Sequence, residues 1–219
     1  MASAVRYSIY GNTFHILPQR ALFWEEEKAL IVADLHLGKT GHFRKAGIAV
    51  PQTVYKNDLH RLFSLVQQYN VEKLIIAGDM FHSVENKEIE LFIRWRNDLE
   101  WLDVFLIKGN HDILRDDFYK RANIRLFDEQ LLIGKFCFVH DQESCNDETE
   151  NEIFYFCGHI HPGVLITGGS RQALRFACYH FTRTHAILPA FSAFTGLYTI
   201  KPKAGEKVFA IVENEVMEV

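Results

Sequence analysis

The sequence lacks the features that mark secreted, membrane-spanning or disordered proteins. It has only four cysteines in 219 residues, none in a Cys-x-x-Cys pair, so neither a disulfide framework nor a cysteine metal site is indicated. No apolar run approaches the ~18 residues of a membrane span, and the first residues have no apolar stretch of signal-peptide length. No low-complexity tract is present. We therefore expect a soluble, cytoplasmic protein with reduced thiols.

The chain also lacks the excess of positive charge that is typical of proteins that bind polyanions. Its formal net charge is −4, and 24% of its residues are charged. An enzyme of this composition that acts on nucleic acid would have to rely on a local basic patch and on bound metals. With 48% hydrophobic residues, the chain can bury a sizeable core, which predicts one domain over residues 1–219.

Apolar runs alternate with amphipathic segments in the first half of the chain. Predicted strands cover residues 28–33, 73–77 and 104–107, and predicted helices cover residues 54–69 and 86–99. This alternation predicts parallel strands covered by helices. After residue 114 the sequence changes to short strands and turns rich in Phe, Val and Ile. Two sheets packed face to face, with helices outside, would bury both faces of the first sheet, and we expect this architecture.

Polar clusters follow the predicted strands. They are Asp34-Leu35-His36, Gly78-Asp79, Gly109-Asn110-His111-Asp112, His140 and Gly158-His159-Ile160-His161. In open α/β sheets, ligands bind outside the carboxyl ends of the strands, where the first three clusters fall. Hard oxygen donors mixed with imidazoles suit Mn²⁺, Fe or Zn²⁺ better than Ca²⁺ or Cu. The set predicts a pair of divalent metal ions, a recurring device for the hydrolysis of phosphate esters.

The spacing within the clusters suggests how the side chains point. Asp34 and His36 lie at i and i+2, so in an extended strand end both would face the same metal. His159 and His161 have the same spacing and are expected on one side of a strand end that Pro162 stops. Any one of these residues alone is more often structural than a ligand. It is their ordered combination that indicates a metal site.

In their order along the chain, the clusters resemble those of the calcineurin-like metallophosphoesterase superfamily. The resemblance implies an α/β fold, a four-layer αββα sandwich of two mixed β-sheets flanked by helices, and a two-metal hydrolase. It implies a first metal held by Asp34, His36 and His161, a bridging Asp79, and a second metal held by Asn110, His140 and His159. It also implies that His111 contacts the phosphate and assists the leaving group. Asp112 is expected to orient the His111 ring.

Longer stretches are similar to one bacterial branch, the ligase-associated DNA damage response endonucleases. They cover residues 30–51, 78–83, 158–162 and 188–196. This resemblance implies a DNA substrate and a setting shared with a DNA ligase and a helicase. Asp141 departs from the wider superfamily, in which a glycine is common after the histidine.

The substrate is indicated by basic residues near the first cluster. Lys39, His42, Arg44 and Lys45 could grip the phosphates of a diester, or form an ordinary solvated loop. His82 could touch substrate or hydrogen-bond within its own turn.

The predicted function is hydrolysis of DNA phosphodiesters by attack of a metal-bridging hydroxide. We expect an endonuclease of single-stranded or damaged DNA in repair, with Mn²⁺ as the preferred metal and Fe or Zn²⁺ as alternatives. A phosphodiesterase or phosphomonoesterase of nucleotides or other small molecules is the alternative within enzymes. A scaffold without catalysis is disfavoured because every ligand position is intact.

Overall fold

The computed structural model describes residues 4–39, 53–82, 87–145, 152–168 and 173–219. A seven-stranded sheet forms from the first half of the chain, with its strands in sequence order. Its strands are β1 (Val5–Ile9), β2 (Asn12–Leu17), β3 (Ala21–Trp24), β4 (Ala29–Val32), β5 (Lys73–Ala77), β6 (Asp103–Ile107) and β7 (Ile124–Phe127). The pairs from β1 to β4 are antiparallel, and those from β4 to β7 are parallel. The predicted parallel strands are confirmed, whereas β1–β3 and β7 were not predicted.

The second half of the chain forms a nine-stranded sheet. Its strands are β8 (Gln130–Ile133), β9 (Phe136–Val139), β10 (Phe154–Cys157), β11 (Pro162–Thr167), β12 (Ala173–Phe181), β13 (His185–Ile187), β14 (Tyr198–Thr199), β15 (Lys207–Val212) and β16 (Glu215–Glu218). The central strands β9, β10 and β13 are parallel, and antiparallel partners, β8 and β12, flank them. Both sheets are therefore mixed, in agreement with the predicted fold class.

Helices cover the outer face of the first sheet. They are α1 (Thr53–Gln68), α2 (Lys87–Asn97) and α3 (Asp116–Arg121). Leu62 of α1, Phe92 of α2 and Phe118 of α3 are buried in the same apolar cluster as Leu74 and Leu106 of the sheet. The first two helices were predicted from their apolar spacing, and α3 was not. No helix within the described ranges is long and apolar enough to cross a membrane.

The two faces of the first sheet belong to different parts of the core. Successive side chains of a strand point to opposite faces, so Leu30 packs under the helices while Ile31 packs between the sheets. The layer between the sheets is aromatic: the Phe14 ring lies 5.1 Å from the rings of both Phe136 and Phe156. This packing fixes the two sheets against each other.

Candidate metal centre

Two groups of potential metal ligands lie where strands of the two sheets end. The first group comprises Asp34, His36 and His161, and the second comprises Asp79, His140 and His159. In each group one ligand atom per residue lies within 4.8 Å of the others. The structure therefore brings together six of the seven predicted metal ligands. The seventh, Asn110, lies in the turn after β6 with an exposed side chain, and its assignment stays a prediction.

The first cluster is formed by a buried carboxylate and two imidazoles. The Nε2 atoms of His36 and His161 are 3.3 Å apart, and His161 Nε2 lies 3.6 Å from Asp34 Oδ1. Asp34 and His36 are buried, and His161 is half-buried. One potential ligand atom from each of the three residues therefore lies in a small space that borders the protein interior.

The second cluster has the same composition. His140 Nε2 lies 3.6 Å from Asp79 Oδ1 and 3.0 Å from His159 Nδ1. His140 Nδ1 faces the carbonyl oxygen of Ala77 at 3.3 Å. Because that nitrogen donates to the carbonyl, the Nε2 lone pair of His140 is directed into the cluster.

The backbone at the ligands is left-handed, which corrects the prediction of extended strand ends. The φ angles are +53° at Asp34, +48° at His36, +49° at Asp79, +70° at His159 and +51° at His161. His159 and His161 accordingly enter different clusters instead of facing one side. Pro162 does not stop the preceding strand, which ends at Cys157; it begins β11. Non-glycine residues with positive φ are uncommon, and strained backbone of this kind is concentrated at functional sites.

Backbone hydrogen bonds link the two clusters. The amide of Asp34 donates to Gly78 O at 3.1 Å, and that of His36 donates to Asp79 O at 2.9 Å. Asp34 Oδ2 accepts from the amide of His159 at 3.0 Å, and Asp79 Oδ1 accepts from the amide of His111 at 2.9 Å. Each carboxylate thus accepts a backbone hydrogen bond at one oxygen, and backbone contacts join the loops that carry the two clusters.

Three glycines leave room for the ligands. A Cβ on Gly78 would lie 1.9 Å from His140 Nδ1, one on Gly109 would lie 2.3 Å from Asp79 Oδ1, and one on Gly158 would lie 2.5 Å from Asp34 Oδ2. Gly78 also has a φ of +80°, so its left-handed backbone and the close approach of His140 both favour glycine at this position.

The donors fit a divalent metal ion. Asp34 Oδ1, which faces the first cluster, is buried and has no hydrogen-bond partner among the described residues, an expensive arrangement for a polar atom that binds nothing. Burial, followed by the positive charge of Lys39, lowers the pKa of His36 to about 2. The imidazole is therefore neutral at physiological pH, the form that binds metals. Carboxylate oxygen and imidazole nitrogen together suit Mn²⁺, Fe and Zn²⁺.

The other predicted catalytic residues lie beside the second cluster. His111 Nε2 is 4.0 Å from Asp79 Oδ2, and 47% of the His111 side chain is exposed. Asp112 does not make the contact predicted for it. Its buried carboxylate accepts from the amides of Phe81 at 2.9 Å and Gly109 at 3.0 Å, and burial raises its pKa to about 6. Asp112 thus joins the loops after β5 and β6 through their backbones.

The predicted substrate-binding residues are only partly described. The His82 ring centroid lies 4.4 Å from that of His111 and 5.3 Å from that of His36. Lys39 is half-buried, and desolvation lowers its pKa although Asp34 and Asp79 act in the opposite direction. His42 and Arg44, with Lys45, lie outside the described residues.

Two further contacts of the metal ligands were not predicted from the sequence. The carbonyl of Asp34 accepts from the amide of Ser192 at 3.2 Å, a backbone contact that no side-chain pattern could reveal. Asp141 Oδ2 lies 3.7 Å from His159 Nε2, while its Oδ1 accepts from the amide of Glu143 at 3.1 Å. Asp141 can therefore orient His159, and its unusual position after His140 was the signal.

Comparisons with known proteins agree with this geometry. A family model described as calcineurin-like phosphoesterase matches residues 28–184, more than half of the chain. The structure is similar to that of nuclease MPE from Pseudomonas putida, with 26% identity and a TM-score of 0.82 over 99% of this chain and 100% of that one. It is more distantly similar to the phosphoesterase Yfce from E. coli, with 14% identity and a TM-score of 0.45 over 87% of this chain and 97% of that one. A search of curated proteins gives no match.

Proposed function

Because this chain belongs to the calcineurin-like phosphoesterase family, and is thus a metal-dependent hydrolase of phosphate esters, we propose that it cleaves DNA phosphodiesters internally, on single-stranded or damaged strands in repair. The observation that carries the proposal is the pair of linked carboxylate–imidazole clusters. The similarity to a nuclease along the whole chain supports nucleic acid as the substrate.

Each cluster would hold one metal ion. The first ion would be held by Asp34, His36 and His161. The second would be held by Asp79, His140 and His159 together with Asn110. Asp79 would be shared between the two ions. Two bound divalent ions supply positive charge for the phosphate and a nucleophile at neutral pH. Mn²⁺ is the metal that we propose, and Fe and Zn²⁺ suit the same donors.

His111 is suited to act on the leaving group. Its ring is half-exposed and lies beside the second cluster, 4.0 Å from Asp79. A proton on this imidazole could pass to the departing oxygen, which is general acid catalysis. His82 packs against the ring at 4.4 Å between centroids and limits its orientations. Lys39 adds positive charge near Asp34 and Asp79, where a phosphate would approach.

The test is hydrolysis of three substrates with added Mn²⁺: an aryl phosphodiester, its monoester, and circular single-stranded DNA. An Asp79→Ala variant prepared in parallel reveals contaminating nuclease. Cleavage of the diester and of the circle by the wild type alone would establish an endonuclease. Hydrolysis of the simple esters with an intact circle would refute the endonuclease and favour a nucleotide phosphodiesterase, which the net charge of −4 also suits.

A further inference from the structure

A cavity of about 330 Å³ lies beside the turn between β2 and β3. Arg20, in the turn between β2 and β3, and Arg61 of α1 line it. Polar side chains of Gln19 and Asn214 also face it, and the exposed Glu213 lies at its rim. The cavity therefore has two guanidinium groups and side-chain amides among its walls.

Hydrogen bonds connect the cavity to the metal ligands through one short segment. Arg20 Nη1 donates to the carbonyl of Ser192 at 2.9 Å and to that of Ala190 at 3.3 Å. The amide of the same Ser192 donates to Asp34 O at 3.2 Å. A single residue thus separates the Arg20 guanidinium from the backbone of a metal ligand. This link through one residue is the geometric basis for assigning the cavity and the first cluster to the same substrate strand.

Asp58 is the buried carboxylate that offsets the charge of the two guanidinium groups, and the lining Glu213 is exposed. Arg61 pairs with the buried Asp58 at 2.8 Å, and Arg61 Nε is buried without a hydrogen-bond partner in the described part of the chain. Arg20 has no carboxylate at ion-pair distance among the described residues. Burial, followed by the charge of Arg61, lowers the pKa of Arg20, although Asp58 acts in the opposite direction. An anion in the cavity would relieve this repulsion.

We propose that the cavity binds a phosphodiester group of the substrate strand, next to the phosphate that is cleaved. The proposal rests on the proposed function and adds a second phosphate site to it. Guanidinium groups bind phosphate oxygens through paired, charge-assisted hydrogen bonds, and such contacts position a strand without reading its sequence. The negative charge of Glu213 would repel an anion in the cavity, but its carboxylate is exposed and this repulsion is screened by solvent.

The proposed phosphate site is tested with chromogenic esters, in which the bond that is cleaved is always the aryl ester bond. The substrates are nitrophenyl esters of thymidylate and of short oligothymidylates, with the aryl group at either end. In the wild type, addition of the neighbouring phosphate should raise kcat/KM about tenfold, as expected for one charge-assisted contact. A methylphosphonate at that linkage removes the charge and should abolish the gain.

The decisive variant is Arg20→Gln, with Arg6→Gln as the matched control because Arg6 is an exposed arginine outside the cavity. Arg20→Gln should lose the tenfold gain, and the methylphosphonate should then cost nothing further; Arg6→Gln should keep the gain. Since the gain is a ratio between two substrates, a general loss of folded enzyme does not alter it.

The possible failures are distinguishable. Equal losses on the short and long esters would overturn the phosphate site and leave Arg20 as a support of Ser192. A methylphosphonate effect that persists in Arg20→Gln would overturn it as well. Failure of the wild type to hydrolyse any of the esters or DNA would instead overturn the proposed function.

Discussion

His159 and His161 are two residues apart in the chain, yet their imidazoles belong to different clusters. His159 Nδ1 lies 3.0 Å from His140 Nε2, whereas His161 Nε2 lies 3.6 Å from Asp34 Oδ1. Left-handed backbone at both residues, with φ of +70° and +51°, turns the side chains apart. One short loop therefore serves both metal positions, and the following predictions depend on that division.

Replacing His161 should remove one metal ion and leave the other. His161→Ala deletes a ligand of the first cluster only, so the metal content should fall from two ions per chain to one. Elemental analysis after dialysis against Mn²⁺ measures the content. His60→Ala, an exposed histidine on α1, should retain both ions. Loss of both ions in His161→Ala would show that the two sites are not separable.

Replacing Asp141 should weaken the second metal position without abolishing it. Asp141→Asn removes the carboxylate that faces His159 Nε2, and loss of such an outer partner typically costs ~10–100-fold in metal affinity. Calorimetric titration of the metal-free protein measures the affinity of each position. Glu143→Gln removes a neighbouring charge while keeping the backbone amide that donates to Asp141 Oδ1, and should bind both ions normally. An equal effect of both variants would mean that only overall charge is involved.

Replacing His111 should impair turnover while both metal ions stay bound. The ring is near Asp79 but belongs to neither cluster, and general acid–base catalysis typically contributes ~10²–10⁴-fold. His111→Ala should therefore lower kcat by this range on an ester with a poor leaving group. The deficit should shrink with nitrophenolate as leaving group, because that anion departs without a proton. Loss of metal from His111→Ala would refute the division of roles.

Replacing Gly158 should destabilise the protein because its Cβ position is occupied. A methyl group there would lie 2.6 Å from Ala33 Cβ as well as 2.5 Å from Asp34 Oδ2, and overpacking costs ~1–3 kcal/mol. Denaturant unfolding of Gly158→Ala measures the loss. Gly196→Ala is the matched control, since its Cβ would have no neighbour within 4 Å. Similar free energies of unfolding for both variants would contradict the crowding.

The thiols should differ sharply in reactivity. Burial raises the pKa of Cys137 to about 11 and that of Cys178 to about 12; a hydrogen bond with Cys145, followed by burial, raises that of Cys157. These thiols stay protonated at pH 8, and only thiolates react readily. Ellman's reagent should modify Cys145 alone in the native protein and all four cysteines after denaturation. Rapid modification of Cys145→Ser would count against this ranking.

The strands and helices that could be predicted were those with a strong local pattern. Apolar runs revealed β4, β5 and β6, and the spacing of Leu62 and Val66 revealed α1. The strand β3 shows no alternation, because all four of its residues are buried on one face or the other. The strand β1 does alternate, but over only five residues. The short helix α3 has only six residues and gives little periodic signal.

The ligands were easier to predict than their geometry. Residue type and position after a strand sufficed to identify Asp34, Asp79 and His140 as members of a metal site. The left-handed backbone at Asp34 and the contact between Asp141 and His159 depend on loops that meet only in three dimensions. No local pattern contains that information.

Each cluster combines ligands from both sheets. Asp34 and Asp79 follow strands of the first sheet, whereas His140, His159 and His161 follow strands of the second. A nascent chain that has completed only its first sheet therefore possesses neither centre, and the first cluster stays incomplete until His161 has been synthesised. Hydrolysis of phosphate esters consequently requires both sheets. A copy in which the sheets have separated has no complete cluster.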